Sequence, residues 1–356
     1  MPVLFYHPEG VADARARVFV AAARGLADAG WRVAFATRAA REPGQHSGGA
    51  AALAEAAEVP VVSLPPATSL VGATAELSRA IRTQFAEVVF VHGDRAQVVA
   101  AGAAWRARRA GVVRRVAVGE RLTLGTTARA SLRAAPTGFL CTWPEQAAAV
   151  PPRATLGSVV ADLGVPERPA APDGKGCRVR CTVAPGAESR AALVLRAAAM
   201  IAPRHRDLEL AFVGPGTRDE SVGLHAAALG IRHRVTYYDI LPADAPDPDV
   251  AWVVADGDAG AFGVLDAMAA AVPVLAERGS VAARYVVDGI TGLHLAPDDV
   301  PATAAVLARL LGHAETRAAM GAAGRSRARR AYAESAMVDG FARAAGTARD
   351  RARWRG

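Results

Sequence analysis

The 356-residue chain is long enough for two domains of ordinary size, and its 52% hydrophobic and 5% aromatic content implies a globular core built mainly from Ala, Val and Leu. A formal charge of +8 rests on arginine, since Lys175 is the sole lysine and asparagine is absent; a GC-rich bacterial coding sequence produces the same bias, so the charge carries no argument for a nucleic-acid partner. The richest apolar run, Ala259 to Ala276, is broken by Asp266 and Pro273, so no membrane span of about 18 residues is expected.

Pro2 to Tyr6 reads as a strand with no basic segment before it, which points to no signal peptide and a cytoplasmic location. A turn at His7-Pro-Glu-Gly10 leads to a helix over Arg15 to Ala29, whose Val18, Ala22 and Leu26 share one face and whose end is marked by Gly30. Strands follow at Trp31 to Thr37 and Val59 to Leu64, a helix at Ala73 to Phe85, a strand at Glu87 to Val91, a helix at Arg95 to Arg109 and a strand at Val112 to Val118. Gly138 to Trp143 and Gly157 to Leu163 read as the last strands of this half. Val165 to Gly176 is rich in proline and glycine, the composition of a linker.

The alternation then restarts. Strand Cys177 to Val183, helix Ser189 to Ile201, strand Leu208 to Val213, helix Glu220 to Leu229 and strands Arg234 to Tyr238 and Val250 to Ala255 lead to Asp258. A turn at Gly289 to Gly292 precedes strand Leu293 to Leu295, and helices follow over Pro301 to Leu311, Thr316 to Tyr332 and Ser335 to Trp354. Strands alternating with helices predict an α/β protein of two doubly wound, Rossmann-like domains, whose strand carboxyl ends face a shared cleft. The division is an N-terminal domain over 1–165, a linker over 166–176, a C-terminal domain over 177–334 and a final helix over 335–356 that packs back on the N-terminal domain. Cys141, Cys177 and Cys181 have neither metal spacing nor an even count; they read as buried reduced thiols, and no metal is expected.

The stretch Asp258 to Val274 reads as a loop carrying Asp258, a short helix with Asp266 in its first turn, a stop at Val272-Pro273 and a buried strand. Each carboxylate offers two acceptor oxygens, so each can grip a pair of neighbouring hydroxyls on a ribose or a sugar.

Four stretches in this order resemble one family. They are Leu208-Glu-Leu-Ala-Phe-Val-Gly214-Pro-Gly216, Leu229-Gly-Ile-Arg-His-Arg-Val-Thr236, Asp258-x7-Asp266-Ala-Met-Ala-Ala-Ala-Val-Pro-Val274 and Val287-Asp-Gly-Ile-Thr-Gly-Leu-His-Leu-Ala-Pro297. Residues from about Arg178 to Tyr332 resemble the retaining family 4 of nucleotide-sugar glycosyltransferases, which have two Rossmann-like domains in the arrangement called GT-B. The resemblance implies a nucleotide-diphosphate sugar as donor on the C-terminal domain and a glycan, lipid-linked or small-molecule acceptor on the N-terminal one, with no further cofactor.

Under the resemblance, Asp258 falls on the carboxylate that meets the donor sugar and Asp266 on the one that meets the ribose. Both stand where the family has glutamate, which shortens each reach by about 1.5 Å. Gly214, Gly216, Gly279 and Ser280 belong to the turns around the nucleotide, and Gly10 is the remaining glycine of the first loop. The family's arginine after the first strand of the second domain falls on Val183 or Ala184 and is missing. Its lysine is replaced by Arg190, or Ser189 occupies the position. His92, in Val91-His-Gly-Asp94, falls on an acceptor-site histidine, while the second family histidine is replaced around Val118-Gly-Glu-Arg121. These departures keep a second reading open, in which the chain is a catalytically silent relative that binds a nucleotide or glycan as a scaffold. Trp105, Arg106, Arg108, Arg109, Arg114 and Arg115 form a basic cluster with one aromatic, a candidate peripheral contact with the inner face of the membrane.

Overall fold

Val88-Val-Phe-Val-His92 and Thr137-Gly-Phe-Leu-Cys141 are buried at every position, as central strands of a parallel sheet covered on both faces must be. The computed structural model describes residues 1–38, 49–135, 137–152, 155–171, 176–184, 188–214, 220–239, 241 and 245–353. They form two units, Met1–Leu163 with Glu334–Gly356, and Gly164–Ala333.

The first unit runs β1 (Pro2–His7), α1 (Ala14–Asp28), β2 (Arg32–Arg38), α2 (Ala50–Ala56), β3 (Val61–Leu64), α3 (Leu70–Thr83), β4 (Val88–His92), α4 (Gly93–Ala107), β5 (Gly111–Val116), α5 (Thr126–Ala134), β6 (Thr137–Cys141), α6 (Pro144–Ala148) and β7 (Thr155–Val160). Its seven strands are parallel in the order β3-β2-β1-β4-β5-β6-β7. The second unit runs β8 (Arg178–Thr182), α7 (Glu188–Ile201), β9 (Glu209–Val213), α8 (Glu220–Ala228), β10 (Val235–Tyr238), β11 (Val250–Val253), α9 (Gly257–Ala269), β12 (Val274–Glu277), β13 (Gly292–Leu295), α10 (Val300–Gly312) and α11 (Ala314–Ala331). Its six parallel strands lie in the order β10-β9-β8-β11-β12-β13.

In the first unit the two sheet faces carry different cores. Leu4, Tyr6, Val89, Val91 and Val112 pack against the alanine-rich α3 and α4. On the opposite face Phe5 and Phe90 stack with ring centroids 5.0 Å apart and meet Phe19 of α1. The last helix, α12 (Glu334–Arg353), completes that face, its Phe341 ring 5.1 Å from Phe90. In the second unit the largest buried side chain, Trp252 of β11, joins Val179, Cys181, Leu210 and Phe212 under α7, α8 and α10.

Three short helices, α2, α5 and α6, carry no signal in the reading above. The start of α5 shows why: Gly125 has no capping side chain, and its N–H donates instead to Asp94 of α4, 2.9 Å away, a tertiary cap invisible in a local window. Of the stretch 166–176, residues 172–175 lie outside the described residues. Residues 166–171 belong to the second unit, where Val165 N–H donates to Tyr332 O at 3.0 Å and Ala171 N–H to Ala270 O at 2.7 Å.

The basic cluster is divided. Trp105 is 69% exposed and Arg109 lies over the Phe85 ring at 5.0 Å, but Arg114 and Arg115 are each only 2% exposed inside β5 and cannot belong to a surface patch. Arg114 is held by Asp94, by Glu120 at 2.8 Å and by Gln97 at 3.1 Å, which commits the half-buried Glu120 to an ion pair within the fold. Cys141 and Cys181 are buried and Cys177 is half-buried, all three as free thiols, and burial pushes Cys141 up to about 12.

Candidate functional site

Ligands of doubly wound sheets bind at the carboxyl ends of the strands where the strand order reverses, because the two helices leaving those strands lie on opposite faces and leave a crevice between them. The second unit has this reversal between β8 and β11. The two strand ends are laced together: Val254 N–H and Ala255 N–H both donate to Thr182 O, at 3.0 and 3.1 Å. Beyond β8 the chain enters α7, whose first turn carries Ser189, exposed, and Arg190, half-buried. Beyond β11 it reaches Asp256, which adopts an extended conformation, and then α9.

Arg190 crosses from α7 to the end of β11. Its Nη1 donates to Val254 O at 3.2 Å and to Asp256 Oδ2 at 2.7 Å. Asp256 has no family counterpart in the sequence reading, yet it is the residue that holds the one expected cation. Both side chains are partly exposed, so the pair contributes little to stability and can exchange partners.

The carboxylates are placed differently from the expectation. The helix starts at Gly257, so Asp258 sits in its first turn, not in a loop, and Asp266 sits near its far end, not in the first turn. The physical reason is that an acidic side chain is favoured at a helix start, and the small residues Gly260 and Gly263 let α9 pack hard against the strand ends. A Cβ on Gly260 would meet Ala255 O at 2.2 Å. Asp258 is 5% exposed. Eight residues of helix set Asp266 about 12 Å along the axis from Asp258, so the two cannot share one diol. Burial lowers the pKa of Arg180, while Asp247 and, more weakly, Asp266 act in the opposite sense.

Gly214 has a structural cause of its own. Its φ is +143° and a Cβ there would meet Val183 O at 2.0 Å, so the ends of β9 and β8 can close together only over glycine. Gly216 lies outside the described residues. Gly279 is exposed with φ of +85°, and Ser280 Oγ accepts the Ala283 N–H at 3.2 Å, closing the turn after β12. A cavity of about 440 Å³ in this unit runs along β8, β9 and β10, lined by Arg178, Arg180, Glu209, Thr236, Tyr238 and Pro246; none of the candidate residues lines it.

In the first unit the reversal falls between β1 and β4, whose last residues are His7 and His92. Gly10 closes the loop after β1 with φ of +73°, and its carbonyl accepts the Ala50 N–H at 3.0 Å. His7 Nε2 meets Val11 O at 3.0 Å. His92 stacks on Phe19 at 3.9 Å, and neither of its buried ring nitrogens has a hydrogen-bond partner among the described residues. Burial, followed by the charges of Arg115, His7 and Arg15, holds His92 well below the ordinary imidazole value, although the nearby Arg15 backbone acts in the opposite sense. His7 and Asp256 were not marked as site residues in the sequence, because only strand order shows which strand ends adjoin.

A depressed histidine costs stability on the acid side. Above the ordinary value near pH 6.5 both states are neutral and nothing is lost; as pH falls through it the unfolded chain takes the proton first, so stability declines until the folded value is reached. In urea titrations from about pH 7 to about pH 5, His92→Gln should therefore lose less stability than the wild type, and equal losses would refute the assignment.

Among the described residues no helix is long and apolar enough to cross a membrane, and no group of His, Cys, Asp and Glu is arranged to hold a metal ion. Residues 187–327 match the family model described as Glycosyl transferases group 1. No curated protein matches the sequence. Among solved structures, HepE of Anabaena in complex with UDP and glucose is 18% identical and covers 96% of this chain and 98% of its own, with a TM-score of 0.74. A mutant of S. aureus TarM in complex with fondaparinux, alpha-GlcNAc-glycerol and UDP is 7% identical over 96% and 99%, with a TM-score of 0.72. Sucrose-phosphate synthase of Thermosynechococcus elongatus is 15% identical over 96% and 98%, with a TM-score of 0.66. The two Rossmann-like units are those of the GT-B fold, and this fold together with the match over α7 to α11 supports a glycosyltransferase.

Proposed function

We propose that the chain is a retaining glycosyltransferase of family 4, which moves a hexosyl group from a nucleotide-diphosphate sugar on the second unit to a hydroxyl of an acceptor on the first. The observation that carries the reading is the pairing of Arg190 with Asp256 at the β8/β11 reversal, with Asp258 in the first turn of the helix that follows, inside the region that matches the family model.

The chemistry follows from charge. Breaking the bond between sugar and diphosphate builds negative charge on the leaving group, which needs cations and amide donors held in place beforehand. The start of α7 offers helix N–H groups, and Arg190 offers the cation. Asp256 neutralises Arg190 in the nucleotide-free protein; the diphosphate takes its place. Asp258 grips hydroxyls of the donor sugar, and Asp266 those of the ribose. No enzyme nucleophile is required, since the donor's own phosphate takes the acceptor proton on the attacked face, and the protein contributes positioning and charge stabilisation.

A thermal-shift panel of uridine, guanosine and adenosine diphosphate sugars tests this. One nucleotide should stabilise the wild type, and Arg190→Gln should weaken its binding about tenfold. Stabilisation by none of them sinks the proposal. The empty arginine position at Val183 and Ala184 favours a second reading, a silent nucleotide-binding relative; binding with neither release nor transfer of sugar would establish it.

The location proposed is the cytoplasm, with peripheral contact at the inner face of the membrane through Trp105, Arg106, Arg108 and Arg109, beside the exposed Phe85. Sedimentation with anionic vesicles should weaken when the three arginines are changed to Ser, and unchanged binding would rule this patch out.

A further inference from the structure

We propose that the cavity of about 440 Å³ on the open face of β8, β9 and β10 is a second ligand site, built for a sugar phosphate and separate from the nucleotide edge. The proposal does not rest on the glycosyl-transfer reading.

Strand register defines the face. Arg178 pairs with Glu209, and Arg180 with Ala211, which pairs in turn with Thr236, so these side chains share one side of the sheet. Their neighbours Val179, Leu210 and Val235 point the other way, into the core under α7, α8 and α10. On the open side α9 packs on the end of β8, where a Cβ on its Gly263 would meet Thr182 Oγ1 at 2.9 Å. The connection from β10 to β11 carries no helix among the described residues. Beyond α9 the face is therefore walled by a loop with Pro246 and Pro248, and Ala211, the smallest side chain of its row, leaves the space between Arg180 and Thr236. Arg190 sits at the start of α7, which covers the opposite face.

The lining is cationic. Arg178, Arg180, Arg206 and Arg234 face the carboxylates of Asp207 and Glu209, and Glu209 is taken by Arg178 at 3.1 Å. Among the described residues the other three arginines have no ion-pair partner. Main-chain carbonyls hold two of them instead: Arg180 Nη2 donates to Pro246 O at 2.9 Å, and Arg234 Nη1 to the carbonyls of Arg206, of His205 at 3.3 Å and of Leu208 at 3.4 Å. Carbonyls fix a guanidinium in place without neutralising it. Arg180 is also half-buried; burial acts against its charge, and Asp247 and, more weakly, Asp266 offset only part of this.

Spacing selects the ligand. Arg180 and Arg234 stand two strands apart, roughly 10 Å, so they flank a molecule of one-sugar size instead of closing on a single oxyanion. A phosphate on Arg180 supplies the missing counter-ion, and Glu209 and Thr236 are placed for hydroxyls of the sugar. A neutral sugar leaves the cations uncompensated, and a bare phosphate leaves most of the cavity unfilled.

The full chain, as wild type, Arg180→Gln, Ala211→Leu and Arg190→Gln, is titrated calorimetrically with glucose 6-phosphate, glucose and inorganic phosphate. Glucose 6-phosphate should bind the wild type and Arg190→Gln equally, at least about tenfold tighter than either glucose or phosphate, and bind Arg180→Gln and Ala211→Leu about tenfold or more weakly. Ala211→Leu fills the cavity and leaves every charge in place, so it carries the test should Arg180→Gln fail to fold. No binding by the wild type, or binding that survives in Ala211→Leu, overturns the proposal. Binding lost in Arg190→Gln and kept in Arg180→Gln places the anion at the nucleotide edge and overturns it as well. Inorganic phosphate that matches glucose 6-phosphate overturns the sugar-phosphate assignment.

Discussion

Asp258→Asn should lower sugar transfer by at least about a hundredfold, while shifting thermal unfolding by only a few degrees. Asn has the shape of Asp and keeps one acceptor oxygen, so packing in the first turn of α9 is retained and only the charge is removed. Were Asp258 merely a partner for the helix dipole, its loss would cost about 0.3 to 2 kcal/mol of stability and nothing in turnover. The two outcomes are therefore opposite in kind, one a fall in rate at near-constant melting temperature, the other a fall in melting temperature at constant rate. Transfer assays with the stabilising nucleotide sugar, run beside calorimetry, distinguish them. Asp266→Ala is the companion measurement: two turns further along the helix, it should weaken nucleotide binding if it meets the ribose, and leave it unchanged if its role is structural.

Phe341→Ala should destabilise the first unit by about 3 to 5 kcal/mol. Phe341 is 1% exposed and contacts Phe90, Phe5 and Phe19 with centroid distances of 5.1, 5.9 and 6.3 Å. Truncation removes one member of a four-ring cluster and leaves a cavity that three rigid rings cannot collapse to fill. The effect reaches the site, because Phe19 is also the ring on which His92 stacks. Calorimetry should show the melting temperature falling by about 2 to 4 °C for each kcal/mol lost. A loss below about 1 kcal/mol would mean that α12 is held by its other contacts and that the ring cluster is not its anchor.

Much of the fold was legible in the residues. Alternating apolar strands and helices of ordinary period predicted parallel sheets, and most strands lie within two residues of their expected positions. Helices failed where the local signal is weak or tertiary: α5 is capped by Asp94 from another helix, and α2 is a short run of alanine with little amphipathic contrast. The start of α9 was misplaced because Gly257 to Gly263 reads as a loop by propensity. Packing against Ala255 at Gly260 and against Thr182 at Gly263 leaves no room for a Cβ at either position and closes the stretch into a helix, overriding that propensity.

The candidate site divides in the same way. Ionisable residues at or just beyond the strand ends, His92 closing β4 and Arg190 and Asp258 in the first turns of α7 and α9, could be marked from the chain alone, since the residue type at such a position is a local property. Their partners could not. Asp256 reaches Arg190 across 66 positions of sequence, and the strand ends that carry His7 and His92 adjoin only because β1 and β4 are neighbours in the sheet. The residues by themselves determined the period, and with it the strands, most helices and the existence of two doubly wound units. Only the tertiary structure decided which strand ends adjoin, and so where the order reverses and which residue pairs with Arg190. Periodicity is written in neighbouring residues, whereas the order of parallel strands depends on crossovers whose lengths allow several arrangements and whose choice is made by long-range packing.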